Sequence, residues 1–402
     1  MQDFFIARQA IYDPRQEVRG YELLARSNAQ ENTNNLPGER ATASVLVNAF
    51  TEIGLDGLVG EQPAWINLTR EFVGNDLLAG LPRRRIVLEL LEDIEVDRPL
   101  LNQVRRLKAA GSRIALDDFF YRPELEPLIE LADVVKVDIR PMEWEAVREH
   151  AERLQDAGVT LLAEKVETPE EFSTCQEMGF HLYQGYFFCR PKLIQGRRMP
   201  ANRSVVLQLL SELENPDTGV KELERIIRND VALSYRLLRY LNSAAFMLRQ
   251  RIETVRRAIV MLGLDRIRHW ARILALSHVD DKPSELLRIA LIRARMCELQ
   301  ALHDGLDEEA DTYFTIGLFS TLDALLDMTL EDIVASLPLS ERVGNALLHH
   351  QGDLGRTLAC IIHYERAEWE CVAEGCQWQP RLKDDYLDAI AWADQLSAQL
   401  LD

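Results

Sequence analysis

Residues 113–118 read RIALDD, and residues 134–139 read VVKVDI. Each is a short run of β-formers with acid at or next to its end, and the second carries Lys136 in the middle of a valine stretch. A strand buried on both faces should consist of apolar residues and run out into a turn. Charge at such a position costs several kcal/mol unless it is paired or used. Working outward, the same grammar recurs. Upstream lie FIARQAIYD (5–13), VRGYELLAR (18–26), PAWINL (63–68) and RIVLELL (85–91); downstream lie TLLAEKV (160–166) and LYQGYFF (182–188). Helix-like segments separate many of them, such as 41–53 and 98–110. Asp97 and Pro99 make a plausible start for the latter and Gly111 a plausible stop. Strands alternating with helices predict a parallel sheet with crossover helices, and eight runs predict a closed barrel. The first two runs are separated only by residues around Asp13-Pro14-Arg15, which predicts an antiparallel pair within an otherwise parallel barrel.

The stretch KLIQGRRMPANR, residues 192–203, marks a boundary. Beyond it the apolar residues recur with helical period, as in SVVLQLLSELE and TVRRAIVMLGL, and no strand is predicted after Ser204. The expected organisation is a barrel domain over 1–195 and an all-α domain over 204–402. A chain of 402 residues has room for two such domains. With 47% hydrophobic and 28% charged residues it is globular rather than disordered. Its net charge of −19 opposes non-specific attraction to nucleic acid or anionic lipid. The N-terminus MQDFFIARQA is no secretory signal, and no apolar run reaches the roughly 18 residues of a membrane helix. Six scattered cysteines argue against a disulfide scaffold and fit a reducing compartment, so a cytoplasmic location is expected. Cys371 and Cys376, with His363 nearby, match no common zinc-finger spacing and are read as structural.

Functional groups of such a barrel gather at the C-terminal ends of its strands. Those positions carry Glu22, Asn67, Glu89, Asp117 with Asp118, Lys136 with Asp138, Glu164 and Gln184. Clustered carboxylates raise one another's pKa, and divalent cations relieve the conflict. An all-oxygen set favours Mg²⁺, Mn²⁺ or Ca²⁺ over zinc or copper. Adjacent Asp117 and Asp118 could bridge two ions, and such a pair activates water against a phosphodiester. The bland alternative is a set of carboxylates that cap helices.

These motifs together resemble the EAL domain of cyclic di-GMP phosphodiesterases, over nearly the whole first half. The signature glutamate sits in YELLAR, INL carries Asn67, VLELLED carries Glu89, ALDD carries Asp117 and Asp118, VKVD carries Lys136, AEKVE carries Glu164, and YQGYFFCRP carries Gln184. The resemblance implies a modified TIM barrel with one antiparallel strand that opens cyclic di-GMP to linear pGpG. It implies metal ligands Glu22, Asn67, Glu89, Asp117 and Asp118, and catalytic roles for Lys136 and Glu164. Arg26, Gln184 and Pro191 would contact substrate, and Glu92 would steady a catalytic loop. The cofactor would be a pair of Mg²⁺ or Mn²⁺ ions, with Ca²⁺ as an inhibitory substitute, and a homodimer is a further implication. The chain departs from the pattern in three places. Leu23 replaces the usual alanine; DDFGTG has become DDFFYRPEL, losing two glycines; and AEGVE has become AEKVE, with Lys165 facing either the site or, as favoured, outward. Either turnover survives the altered loop, or the barrel is a cyclic di-GMP sensor or protein-interaction scaffold.

The segment 207–277, with IIRNDVALSYRLLRYLNSAAF and IETVRRAIVMLGLDRIRHW, resembles the HDOD domain. Its relatives with a phosphohydrolase site carry a His-Asp pair in a GLLHDIG-like stretch. Here that stretch is GLFSTLDALL, with Ser320-Thr321 at the pair. His303-Asp304 is read as surface, and His349-His350 as two helical neighbours that point apart. The implied role is non-catalytic: regulation through a protein partner. A basic patch at Arg266, Arg268 and His269 is diluted by acids, so no nucleic-acid or membrane partner is expected.

Overall fold

The computed structural model describes residues 4–27, 54–74, 78, 82–91, 94–119, 122–186, 201–215, 217–229, 254–276, 282–376 and 379–400. The eight expected strands are present: β1 Phe4–Tyr12, β2 Val18–Ser27, β3 Ala64–Leu68, β4 Ile86–Leu90, β5 Arg113–Leu116, β6 Val134–Asp138, β7 Thr160–Glu164 and β8 Leu182–Gln184. They close into a barrel in sequence order. Pairings from β2 round to β8 are parallel, whereas β1 runs antiparallel to both β2 and β8. The turn between β1 and β2 is held by Asp13, whose Oδ1 accepts from the backbone N–H of Arg15 and Glu17. The helix Arg98–Ala109 starts as the sequence suggests: Asp97 Oδ1 accepts from Leu100 N at 2.8 Å, Pro99 lies in the first turn, and Gly111 follows at φ 89°. The expected helix over 41–53 lies outside the described residues.

A layer of apolar side chains fills the barrel: Ile11, Trp65, Val87, Ala115, Val134 and Leu162, with Leu182 packed against them. This layer positions the site. Side chains alternate along a strand, so the residue two positions further on faces the interior again, one layer higher. Trp65 therefore leads to Asn67, Val87 to Glu89, Ala115 to Asp117, Val134 to Lys136, Leu162 to Glu164 and Leu182 to Gln184. On β2 the corresponding step is Gly20 to Glu22. A β-carbon on Gly20 would lie 2.4 Å from Trp65 Nε1, so the indole occupies the space that a side chain there would need. The polar ring is thus the apolar floor advanced by two residues.

Contacts divide the chain into two units: Met1–Arg190 with Ile362–Leu387, and Pro191–Ile361 with Asp388–Asp402. Residues 362–387 therefore join the barrel rather than the helical unit. Tyr364, fully buried, donates its hydroxyl to the Ile6 carbonyl of β1, and Tyr186 donates to Glu365 O. The helical unit is built on the helices Ala201–Glu214, Val220–Asn229, Val255–Leu262, Leu264–Leu276, Ser284–His303 and Ala310–Phe319, among others. Gly263, at φ 90°, ends one helix and precedes the next. The stretch 230–253 lies outside the described residues. Among those described, no helix is long and apolar enough to cross a membrane.

Candidate metal and phosphodiester site

Lys136 is the hub. Its ammonium, fully buried, lies 2.6 Å from Asp117 Oδ1, 2.9 Å from Glu89 Oε1, 3.0 Å from Glu164 Oε1 and 3.2 Å from Glu22 Oε2. Four carboxylates from β2, β4, β7 and the residue after β5 thus converge on one cation. Amides complete the ring. Asn67 Nδ2 donates to Glu22 Oε1 at 3.0 Å, and Gln184 Nε2 donates to Glu22 Oε2 at 2.6 Å and to Gln9 Oε1 at 2.9 Å.

One positive charge does not balance this much acid, and the carboxyls titrate accordingly. Burial, with repulsion from Glu22, drives Glu89 well above the usual range. Burial raises Asp117 as well. Glu164 is pushed up to about 8 by burial, with Asp117 and Glu22 adding repulsion. Only Glu22 is lowered: burial opposes its charge, but Lys136 and the donors Gln184 and Asn67 outweigh it. Lys136 itself is raised well above its ordinary value, since the surrounding carboxylates overcome the cost of its burial. Several oxygens remain without a hydrogen bond of good geometry although buried: both of Glu89, Oε2 of Glu164 and Oδ1 of Asp118. Buried oxygens in surplus over donors are what divalent cations satisfy, so the residues present fit such ions.

The structure brings Glu22, Asn67, Glu89, Asp117, Lys136, Glu164 and Gln184 together and sets Asp118 at the rim, at φ 44°. Glu22 lies within β2 rather than at its end. Gln184, expected against substrate, is buried, and its amide is turned onto Glu22 and Gln9; it orients Glu22. Arg26 belongs to β2, but its side chain lies outside the described residues, as do Glu92, Pro191 and the altered loop positions Phe120 and Tyr121.

The outward reading of Lys165 is corrected. Its ammonium hydrogen-bonds Asp138 Oδ2 and lies 3.6 Å from Asp118 Oδ1. Strict alternation would send a residue after Glu164 away from the interior, but Lys165 has φ 57°, which breaks that alternation. Sequence reading also missed Gln9. Because β1 runs the other way, the step from the apolar layer goes backwards, from Ile11 to Gln9. The antiparallel register, which sets Gln9 opposite Glu22, is the signal that finds it.

In the helical unit the hydroxyls at the phosphohydrolase pair are tied to the backbone. Ser320 Oγ donates to Gly317 O at 2.7 Å and accepts from Arg293 at 2.8 Å, and Thr321 Oγ1 donates to Leu318 O. His303-Asp304 is exposed at a helix end, and His350 is a left-handed helix cap that follows His349. Of the basic patch, Arg268 donates to Thr218 O and His269 meets Asp311 at 3.2 Å, whereas Arg266 is exposed. His363, Glu368 and Cys371 place their ligand atoms within 4.8 Å of one another, and His363 hydrogen-bonds Glu368. Cys376 is not in that group, and neither it nor Cys360 is a free thiol, which the scattered-cysteine reading did not anticipate.

A closed barrel with a reversed first strand, an oxygen-rich ring on its interior face and a helical domain beside it in sequence defines the class: the chain belongs to the family that joins an EAL domain to an HDOD domain. The EAL domain model matches residues 60–191, and the HDOD domain model residues 199–337. The chain is 34% identical over 403 residues to YuxH of Bacillus subtilis, an uncharacterized protein, covering 98% of each chain. It is 34% identical over 377 residues to the cyclic di-GMP phosphodiesterase CdgJ of Vibrio cholerae, covering 92% of this chain and 87% of that one. Among solved structures, an EAL domain protein from Listeria monocytogenes aligns at 20% identity and TM-score 0.39, over 46% of this chain and 87% of that one. That likeness is too distant to bear on function.

Proposed function

We propose that the barrel hydrolyses cyclic di-GMP to linear pGpG with divalent cations held by its carboxylate ring. The observation that carries this is the convergence of four carboxylates on Lys136 with buried oxygens left over. The activity in the name of CdgJ, a relative along most of the chain, supports it. Glu22, Asn67, Glu89, Asp117 and Asp118 would hold the ions, Mg²⁺ or Mn²⁺. Bound there, such ions would activate water and neutralise the phosphodiester.

The chain's own residues do the rest. Asn67 and Gln184 fix the Glu22 carboxylate from both sides, so its orientation is set before any ion arrives. Lys136 offsets part of the ring's charge and keeps the four carboxylates together. Glu164, whose carboxyl burial pushes up to about 8, would accept a proton from the attacking water when ionised. Water adds to phosphorus, one bridging P–O bond breaks, and the released sugar oxygen takes a proton. Arg26 and Pro191 are assigned to substrate, and Glu92 to loop support. The HDOD part is assigned a regulatory role, since Ser320 and Thr321 spend their hydroxyls on backbone carbonyls.

The test is incubation of the purified chain with cyclic di-GMP and Mg²⁺ or Mn²⁺, followed by chromatography. Linear product is expected, falling at least ~100-fold in Glu22→Ala, the scale of a lost charge-stabilising group. Nucleotide binding without product in the wild-type chain would overturn the enzyme and leave a sensor.

A further inference from the structure

Lys165 and Asp118 follow two interior residues that both meet Lys136, Glu164 on β7 and Asp117 just after β5, and both hold a left-handed backbone, at φ 57° and 44°. Lysine gains nothing locally from that conformation, which persists only where surrounding structure fixes it. Here it is fixed on three sides. Ile139 N donates to Glu164 O at 3.5 Å, Val166 N to Gln184 O at 3.0 Å, and Arg140 Nε to the carbonyl of Lys165 itself at 3.2 Å. Arg140 is in turn held by Glu167 at 2.9 Å. The result turns the ammonium toward the ring: it hydrogen-bonds Asp138 Oδ2 and stands 3.6 Å from Asp118 Oδ1. That Asp118 oxygen is buried and accepts no hydrogen bond.

We infer that Lys165 is a tethered counter-cation for Asp118 that competes with the divalent ion Asp118 would help to hold. The inference rests on the divalent-ion reading above. An ammonium this close neutralises the carboxylate and repels an arriving dication. The competition is reversible, because the Lys165 side chain is 53% exposed and can move away without losing solvation. Ion sites in the ring are then unequal. The one that relies on Glu22, Asn67, Glu89 and Asp117 fills first, and the one that needs Asp118 fills only at higher concentration. Occupancy of the complete site, and with it turnover, follows the free divalent-ion level.

Mn²⁺ titration of the full chain without nucleotide, read from the spin-resonance signal of free Mn²⁺, tests this. The wild-type chain should show one tighter and one weaker class of ion. Lys165→Met and Lys165→Gly should tighten the weaker class about tenfold and leave the tighter one alone, while Lys165→Arg should behave as wild type. Identical constants in wild type and Lys165→Met would overturn the inference. So would tightening in Lys165→Gly alone, since backbone relief rather than charge would then be at work. Absence of Mn²⁺ binding in every chain would overturn the divalent-ion reading itself, and the inference with it.

Discussion

At the scale of single residues, the molecule turns on Lys136. A buried lysine among four carboxylates is costly to form and more costly to break, because removing one partner strands the others. Lys136→Met should therefore destabilise the ion-free chain by about 3–5 kcal/mol, measured by urea unfolding in chelator. Saturating Mn²⁺ should restore much of that loss, since cations replace the missing charge. An ion-free variant as stable as wild type would show that the carboxyls are neutral without Lys136. Lys136 and Glu89 were legible in the sequence, because charge inside an apolar run is conspicuous. Lys165 was not: alternation sends it outward, and only its left-handed backbone brings it back.

At the scale of elements, strand direction and strand ends decide what the ring contains. Asn67, Glu89, Asp117, Glu164 and Gln184 were legible because each closes a β-rich run, at the strand end where a barrel gathers its functional groups. Gln9 escaped because the rule of C-terminal strand ends does not apply to the one reversed strand. The end of β8 shows how tightly this layer is held. A β-carbon on Gly185 would fall 1.9 Å from the Val166 carbonyl oxygen, and Gly185 has φ 147°. Gly185→Ala must push β8 off the loop after β7, breaking the bond from Val166 N to Gln184 O and turning Gln184 from Glu22. A loss of at least ~2 kcal/mol in stability is expected, with turnover reduced more than in an equally destabilised core variant. Equal losses in the two would mean that Gln184 does not orient Glu22.

At the scale of the whole chain, two domains with different grammars were legible from composition shifts, whereas their long-range pairings were not. Arg272, buried, binds Glu214 at 2.5 Å and Asp311 at 3.0 Å across 58 and 39 residues, separations that no local pattern reports. Burial opposes the charge on Asp311, but hydrogen bonds from His269 and Arg272 hold its carboxyl well below the ordinary 3.8. A depressed folded pKa contributes stability above the unfolded value and loses it progressively as pH falls from that value through the folded one. The Asp311 carboxylate is 44% exposed, so solvent screens the pair and the contribution is only about 1 kcal/mol. Asp311→Asn should cost that amount near neutral pH, and the difference from wild type should shrink steadily as the pH falls below about 4. A gap that persists in acid would assign the loss to packing instead.

Everything functional rests on the ring taking divalent ions. Anomalous diffraction from crystals of the full chain soaked in Mn²⁺ locates them directly. A manganese peak within reach of Glu22, Asn67, Glu89 and Asp117 is expected, with a weaker one beside Asp118. A ring without manganese, Lys136 still bridging its four carboxylates at ion concentrations that saturate the soak, would contradict it.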